Sequence, residues 1–295
     1  MRLRSLLFVP GDSERKFAKA TSSGADALIL DLEDSVAPEK KSGARGFVAA
    51  LLAAGEQRDF QFFVRINALD TGLALPDLAA VILPGIDGIM IPKANGAQDI
   101  LRIGHYLDAL EQRAGMAPNS VSIIVVATET PAAMFALGSY VPAHPRLAAL
   151  TWGAEDLSSA IGATTNKSAG GAWSFPYQLA RSNCLFAAAA ANVAPIDTLF
   201  SDYRDAAGLA ADCGIARQDG FTGRVAIHPD QIATINACFS PSAEDIAEAE
   251  TVLAAFAANP STGTVGIGGK MFDIPHLKAA QRVLAAANPE KEANP

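Results

Sequence analysis

VSIIVVATETPAAM, residues 121–134, decides how the rest of the chain is read. Residues 123–128 are apolar or small, run straight into Glu129, and are followed two residues later by Pro131. A continuous β-branched run suits a strand buried on both faces, as in a parallel sheet covered by helices. Pro131 fits the first turn of a helix, where its missing N–H costs nothing. Glu129 is thereby placed at the C-terminal end of a buried strand, at a strand-to-helix turn, where parallel α/β folds carry their chemistry. A carboxylate stabilising a helix N-terminus through the helix dipole is the other reading of the same stretch.

Outward from it, short apolar runs alternate with amphipathic helical stretches from one end to the other, the pattern of βα units. Strands are predicted over 5–9, 27–32, 61–64, 88–91, 147–152, 193–199 and 225–227 besides the central one. Helices are predicted over 13–20, 38–54, 76–83, 98–113, 131–140, 177–191 and 203–216. Eight such units close most naturally into a parallel (β/α)8 TIM barrel, with an open doubly wound sheet as the competing topology. Glu33, Asp34, Arg65, Lys93, Glu129, Asp156 and His228 each fall just past an apolar run, and a barrel would gather them at one mouth. A Gly/Ser/Thr-rich loop up to residue 175 is long enough that it is expected to cover a site.

After the barrel, residues 242–256 read as a helix opened by a capping box, Ser242 with Asp245. Residues 259–263 and 266–269 are rich in small residues and read as a flexible hinge. A second helix over 274–287 has Pro275 in its first turn and Ile274, Leu277, Ala280 and Leu284 along one side. A hinge followed by an amphipathic helix has the makings of a lid; a helix docked permanently on the barrel fits the pattern equally. The expected organisation is a barrel over 1–240, a C-terminal helical lid extension over 241–287 and a polar, disordered tail over 288–295.

The 295 residues fit one α/β barrel, and the net charge of −8 disfavours a nucleic-acid partner. The apolar run near the N-terminus is too short for a signal peptide, and none reaches membrane-spanning length, so a soluble cytoplasmic protein is expected. Cys184, Cys213 and Cys238 show no metal-ligand spacing and are expected as buried, reduced thiols.

Glu129 and Asp156 end consecutive predicted strands, which lie about 4.8 Å apart in a sheet. Two carboxylates there suit Mg²⁺, which takes the rest of its shell from water and substrate oxygens; acid–base work by the pair alone is the alternative. Arg65 offers a planar fork for a substrate carboxylate or an enolate oxygen, or an ion pair with Glu33 or Asp34. Arg4, Arg15, Lys16, Lys19 and Lys40 cluster around the first two units, as a rim for a phosphorylated ligand or as a solvated helix face.

RSLLFVPG (4–11), GADALILDLEDSV (24–36), VRIN (64–67), IPK (91–93), ATET (127–130), WGAEDL (152–157), FTGRVAIHPDQI (221–232) and GGKMFDIPHLKAAQRVL (268–284) resemble the citrate lyase β-subunit-like proteins of the HpcH/HpaI aldolase group. The resemblance spans nearly the whole chain and is closest to the malyl-CoA/citramalyl-CoA lyase branch. It implies a TIM barrel assembled as homotrimers or hexamers, a Mg²⁺ cofactor, and C–C bond chemistry between an acyl-CoA thioester and a small 2-oxo acid. Carried over by position, Glu129 and Asp156 would be the metal ligands, Arg65 the catalytic substrate-anion contact and Asp273 the catalytic acid–base. Phe8, Arg15, Lys19, Glu155, Ile227 and His228 would line the substrate and coenzyme A site. The C-terminal segment would close over a neighbouring subunit's site. Arg224 stands where the family often has a phosphate-contacting lysine. Citrate lyase β subunit, malyl-CoA thioesterase and a non-catalytic coenzyme A or 2-oxo-acid binding protein are the alternatives to a malyl-CoA-type lyase.

Overall fold

The structure is a computed structural model that describes residues 2–288. Eight parallel strands form a closed ring: β1 (Ser5–Pro10), β2 (Ala27–Asp31), β3 (Gln61–Arg65), β4 (Gly88–Ile91), β5 (Ser122–Val126), β6 (Leu147–Thr151), β7 (Ala194–Asp197) and β8 (Gly223–Ala226). The ring closes where β8 pairs with β1 through Ser5↔Arg224, Leu6↔Val225 and Leu7↔Ala226, which rules out the open sheet. Around it run α1 (Glu14–Thr21), α2 (Lys41–Ala54), α3 (Ala74–Val81), α4 (Ala97–Arg113), α5 (Pro131–Met134), α6 (Ala154–Ala160), α7 (Phe175–Ala191) and α8 (Ala206–Asp219).

The period-two geometry of the strands explains why they read as unbroken apolar runs. Leu6, Ala27, Ile29, Phe63, Met90, Ile124, Val126, Ala149, Ile196 and Val225 share one core inside the ring. The alternate residues Leu7, Leu28, Leu30, Val64, Ile89, Ile91, Val125 and Leu150 are at most 1% exposed. Both faces are dry, so neither can carry a polar alternation. Gly88 in β4 is needed for packing, because a Cβ there would collide with the Phe63 ring that fills the barrel.

Local chemistry starts and stops the helices. Ser13 caps α1, its hydroxyl accepting from Lys16 N–H at 3.4 Å. α7 opens with Pro176 in its first turn and ends on Asn192, held in the left-handed region at φ 55°. Three predicted features differ. β2 ends at Asp31, before the expected Glu33-Asp34. The helix after β5 stops at Met134 and gives way to a tight turn over Leu137–Tyr140. The stretch read as one long loop after β6 contains α6, with Glu155 and Asp156 in its first turn, where the helix dipole favours negative charge.

Residues 3–236 form one compact unit, and Arg2 with residues 237–288 form a second, the division falling inside α9 (Ile232–Cys238). The second unit holds α10 (Ala243–Ala258), a hairpin of β9 (Thr264–Ile267) and β10 (Lys270–Asp273), and α11 (Ile274–Ala287). Val252, Phe256, Val265 and Ala280 are its buried core, with Phe272 and Leu277 packed on them. Ser242 and Asp245 make the expected capping box: Ser242 Oγ accepts from Asp245 N–H at 3.1 Å, and Asp245 Oδ2 from Ser242 N–H at 2.7 Å.

Of the expected hinge, residues 266–269 are instead part of the hairpin. Gly268 (φ 55°) and Gly269 (φ 79°) are consecutive left-handed residues, the requirement of a tight two-residue hairpin turn. Residues 289–295 of the predicted disordered tail lie outside the described residues. Among the described residues, no helix is long and apolar enough to cross a membrane. Cys184 and Cys213 are buried as expected, whereas Cys238 is only half-buried.

Candidate active site

At the C-terminal mouth of the barrel the strand ends build a cleft whose polar wall is a ring of alternating charge. β2 delivers Asp31 and β3 delivers Arg65, paired in register across the sheet. Arg65 Nε donates to Asp31 Oδ1 at 2.7 Å and Nη2 to Oδ2 at 2.6 Å, a two-pronged charge-assisted pair. Its Nη1 lies 3.2 Å from Glu33 Oε2, and the guanidinium carbon stands 4.6 Å from the centre of the Phe8 ring. Burial alone would lower the basicity of Arg65, but the hydrogen bond and charge of Asp31 more than offset it, so the side chain is held as a cation. Asp31 is correspondingly held below the usual carboxylate range: burial opposes ionisation and Arg65 outweighs it.

Lys93 follows β4 with its backbone in the left-handed region, φ 51°, which is uncommon for a side-chain-bearing residue. That turn directs its N–H at Glu129 Oε2, 2.6 Å away. Its Nζ reaches Glu33 Oε1 at 2.5 Å, Asp34 Oδ2 at 3.1 Å and Asp156 Oδ1 at 3.2 Å. Burial opposes the charge on this ammonium, but the Glu33 hydrogen bond and charge, with the charges of Glu129 and Asp156, more than offset it.

Glu129 is 4% exposed. Burial pushes its carboxyl up to about 8, with the Asp156 charge adding to the shift and the Lys93 N–H opposing it. The residue after it, Thr130, caps α5 by accepting from Ala133 N–H at 3.1 Å, which fixes the turn that presents Glu129. Gly153 is required beside it: a Cβ there would lie 2.7 Å from Glu129 Cγ and 3.0 Å from Oε1. The same cleft is lined by Phe8, Glu155, Thr151 and Trp173. Trp173 comes from the 161–174 loop, where Lys167 Nζ sits 3.0 Å from the ring centre.

The donor set fits a hard divalent cation. Glu129 and Asp156 supply carboxylate oxygens, and a buried carboxyl that resists ionisation beside a second carboxylate is relieved by a cation between them. Among the described residues no group of three or more His, Cys, Asp or Glu side chains is arranged as a metal site. A cation here would therefore take the rest of its shell from water and ligand oxygens, which suits Mg²⁺ and not a structural zinc.

Of the residues singled out in the sequence, Phe8, Arg65, Glu129, Glu155 and Asp156 line this one cleft. Arg15 and Lys19 are exposed on α1, and Ile227 and His228 follow β8, His228 stacking on Tyr203 at 4.4 Å; none of the four lines the cleft. Asp273 belongs to the second unit and stands at the N-cap of α11. Its N–H lies 3.2 Å from His276 Nδ1, and the same nitrogen, when it carries the ring proton, donates to Asp273 Oδ1 at 2.5 Å. The His276 hydrogen bond lowers the Asp273 carboxyl from its ordinary value.

Arg224, which stands where the family often has a phosphate-contacting lysine, is 1% exposed and bound to Asp197 at 2.8 Å and Asp212 at 2.6 Å. One expectation falls: Arg4 is no part of a basic rim, for it precedes β1, at the other end of the barrel from the mouth, and pairs with Asp26 at 2.7 Å. Sequence reasoning missed Asp31, which the inward parity of Ile29 and Asp31 would have flagged, and Thr151, which shares the inward parity of Ala149.

The sequence matches the model of the HpcH/HpaI aldolase/citrate lyase family over residues 4–229. Citrate lyase subunit beta of Escherichia coli strain K12 is 34% identical over 286 residues, covering 96% of this chain and 93% of that protein. A (3S)-malyl-CoA thioesterase of Cereibacter sphaeroides is 33% identical, covering 96% of this chain and 94% of that one. Among solved structures, CitE from Mycobacterium tuberculosis in complex with magnesium, acetoacetate and coenzyme A superposes with a TM-score of 0.77 at 32% identity, covering 97% of this chain and 98% of that one. With the family matched across the barrel and relatives aligned nearly end to end, this chain belongs to the HpcH/HpaI aldolase/citrate lyase family.

Proposed function

We propose that this chain is a Mg²⁺-dependent carbon–carbon lyase that cleaves a 3-hydroxyacyl-CoA of the malyl-CoA or citramalyl-CoA type into an acyl-CoA and glyoxylate or pyruvate. The observation that carries the reading is the cleft itself. It places a buried carboxyl, Glu129, beside Asp156 and within reach of the Arg65 cation, in a chain whose relatives handle citrate and malyl-CoA. Glu129 and Asp156 would hold the metal. Bound there, Mg²⁺ supplies Lewis-acid polarisation of the oxo-acid oxygens.

The remaining chemistry falls to the chain. Arg65, braced by Asp31, would face the negative oxygen that develops as the C–C bond breaks and its electron pair passes into the thioester enolate. Because Asp31 fixes the guanidinium beforehand, little reorganisation is needed when that charge appears. In cleavage Asp273, ionised beforehand, would receive the proton that leaves the substrate's hydroxyl as that oxygen becomes the carbonyl, and would pass it to the enolate carbon; condensation would run the same transfer in reverse. His276, bonded to its carboxyl, favours the ionised, proton-accepting form between turnovers. Phe8, Arg15, Lys19, Ile227 and His228 would hold coenzyme A, with Glu155 at the substrate edge. In a homotrimer or hexamer the second unit would act as a lid bringing Asp273 to a neighbouring subunit's cleft. A cytoplasmic setting, where acyl-CoA thioesters are available and thiols stay reduced, completes the proposal.

Hydrolysis of the thioester is the second reading, favoured by the malyl-CoA thioesterase relative. A panel of malyl-CoA, citramalyl-CoA and citryl-CoA, each scored for released 2-oxo acid with Mg²⁺ and with EDTA, tests the proposal. Release from one of the first two, abolished by EDTA, is expected. Release from citryl-CoA alone would assign the chain to the citrate lyase β type.

A further inference from the structure

Thr151 ends β6, on the same inward parity as Ala149, and its register partners Val126 and Ile196 are apolar. Its backbone is committed to the ladder, its carbonyl accepting from Ala127 N–H at 2.8 Å. The side chain is different. Thr151 is 2% exposed and lines the cleft, yet its Oγ1 has no hydrogen-bond partner among the described residues. A valine would fill the same space without a polar atom, as Val126 and Val225 do in the same core. A buried hydroxyl with no partner is a cost to the free protein, so nothing in the fold accounts for it.

The charged side chains at the cleft are already engaged. Arg65 Nε and Nη2 are bound to Asp31 and its Nη1 faces Glu33. Lys93 Nζ is shared among Glu33, Asp34 and Asp156. A ligand oxygen entering beside Glu129 thus meets, at Thr151, a buried hydroxyl with no prior commitment. We infer that the Thr151 hydroxyl is a substrate-binding group that hydrogen-bonds an oxygen of the small oxo acid. The inference rests on the proposed function above for the nature of the ligand and adds a contact to it. A hydroxyl also suits the two states of a C–C lyase. It can accept from the alcohol of the intact thioester or donate to the carbonyl of the released oxo acid.

Thr151→Val keeps the shape and removes the hydroxyl, and Thr151→Ser keeps the hydroxyl and removes a methyl. Binding of glyoxylate and of pyruvate to the full chain, in the presence of Mg²⁺, is read by fluorescence. Both of the chain's tryptophans, Trp152 and Trp173, line the cleft. Melting temperature is measured alongside. Thr151→Val is expected to weaken oxo-acid binding by about tenfold, the size of one lost hydrogen bond, with Thr151→Ser much closer to wild type. Its melting temperature should be unchanged or raised, because an unpartnered hydroxyl has been removed. Wild-type binding by Thr151→Val overturns the inference. So does weakened binding in both variants with a lowered melting temperature, which would make the residue a packing element. If the wild type itself binds no oxo acid, the proposed function fails and this contact fails with it; if the wild type binds and only the valine result is negative, the hydroxyl's role alone is wrong.

Discussion

Replacing Glu129 with glutamine alters one atom and removes one titration. The Glu129 carboxyl is pushed up from 4.5 to about 8, first by burial and then by the Asp156 charge, against the Lys93 N–H. A group whose folded-state pKa lies above its unfolded value contributes stability that is complete below the unfolded value and lost as pH rises through the folded one. In the metal-free protein that window runs from about 4.5 to 8. The difference of about 3.5 units, at about 1.4 kcal/mol each, makes the ionised form at high pH less stable by on the order of 5 kcal/mol. Glutamine stays neutral, keeps the shape, and can still accept the Lys93 N–H through Oε1. The metal-free variant should therefore match wild type near pH 5 and melt well above it near pH 9. At about 2 °C per kcal/mol for a chain of this size, the gap approaches 10 °C. Magnesium should reverse the order near pH 8, stabilising wild type through the ionised carboxylate and leaving the variant nearly unmoved. Thermal melts across this pH range, with EDTA and with Mg²⁺, read both effects. Parallel pH profiles for the two proteins would show that the Glu129 carboxyl does not titrate in this window, and equal magnesium shifts would show that it does not hold the metal.

Gly153→Ala places a methyl 2.7 Å from Glu129 Cγ, so the carboxylate must move; magnesium affinity should fall by about tenfold or more while far-UV circular dichroism stays unchanged. Arg65→Lys cannot offer Asp31 a fork, and should cost about 2–4 kcal/mol in denaturant melts and about 100-fold in turnover; normal values in both would mean that the fork is dispensable. Asp273→Ala should abolish turnover, while mixing its protomers with Glu129→Gln protomers should restore part of it if the lid serves a neighbouring subunit. Near-normal turnover by Asp273→Ala with only a lowered melting temperature would reduce the residue to a helix cap, a role worth about 1 kcal/mol.

The barrel was legible because every strand is buried on both faces, so eight apolar runs stood out and a charged or polar residue marked where each run ended. That rule led to Arg65, Glu129 and Asp156, which line one cleft. It failed at β2, where Leu32 extends the apolar run past the true end and draws attention to Glu33-Asp34 instead of Asp31. The ion pairs of Arg224 were not legible because its partners, Asp197 and Asp212, come from two other elements that converge on it only in space. The Gly268-Gly269 pair looked flexible by composition, although two left-handed residues in succession make a defined turn. The orientation of the Lys93 N–H and the unpartnered Thr151 hydroxyl are properties of assembled geometry, which linear pattern does not carry.

The most direct measurement is product stoichiometry from malyl-CoA or citramalyl-CoA. Wild-type protein with Mg²⁺ should release 2-oxo acid and a shortened acyl-CoA in equal amounts, with no free coenzyme A, and neither should form with EDTA or in Glu129→Gln. Free coenzyme A with intact malate or citramalate would show thioester hydrolysis instead of C–C cleavage, and release of oxo acid that persists in EDTA would contradict the two-carboxylate metal site at the centre of the account.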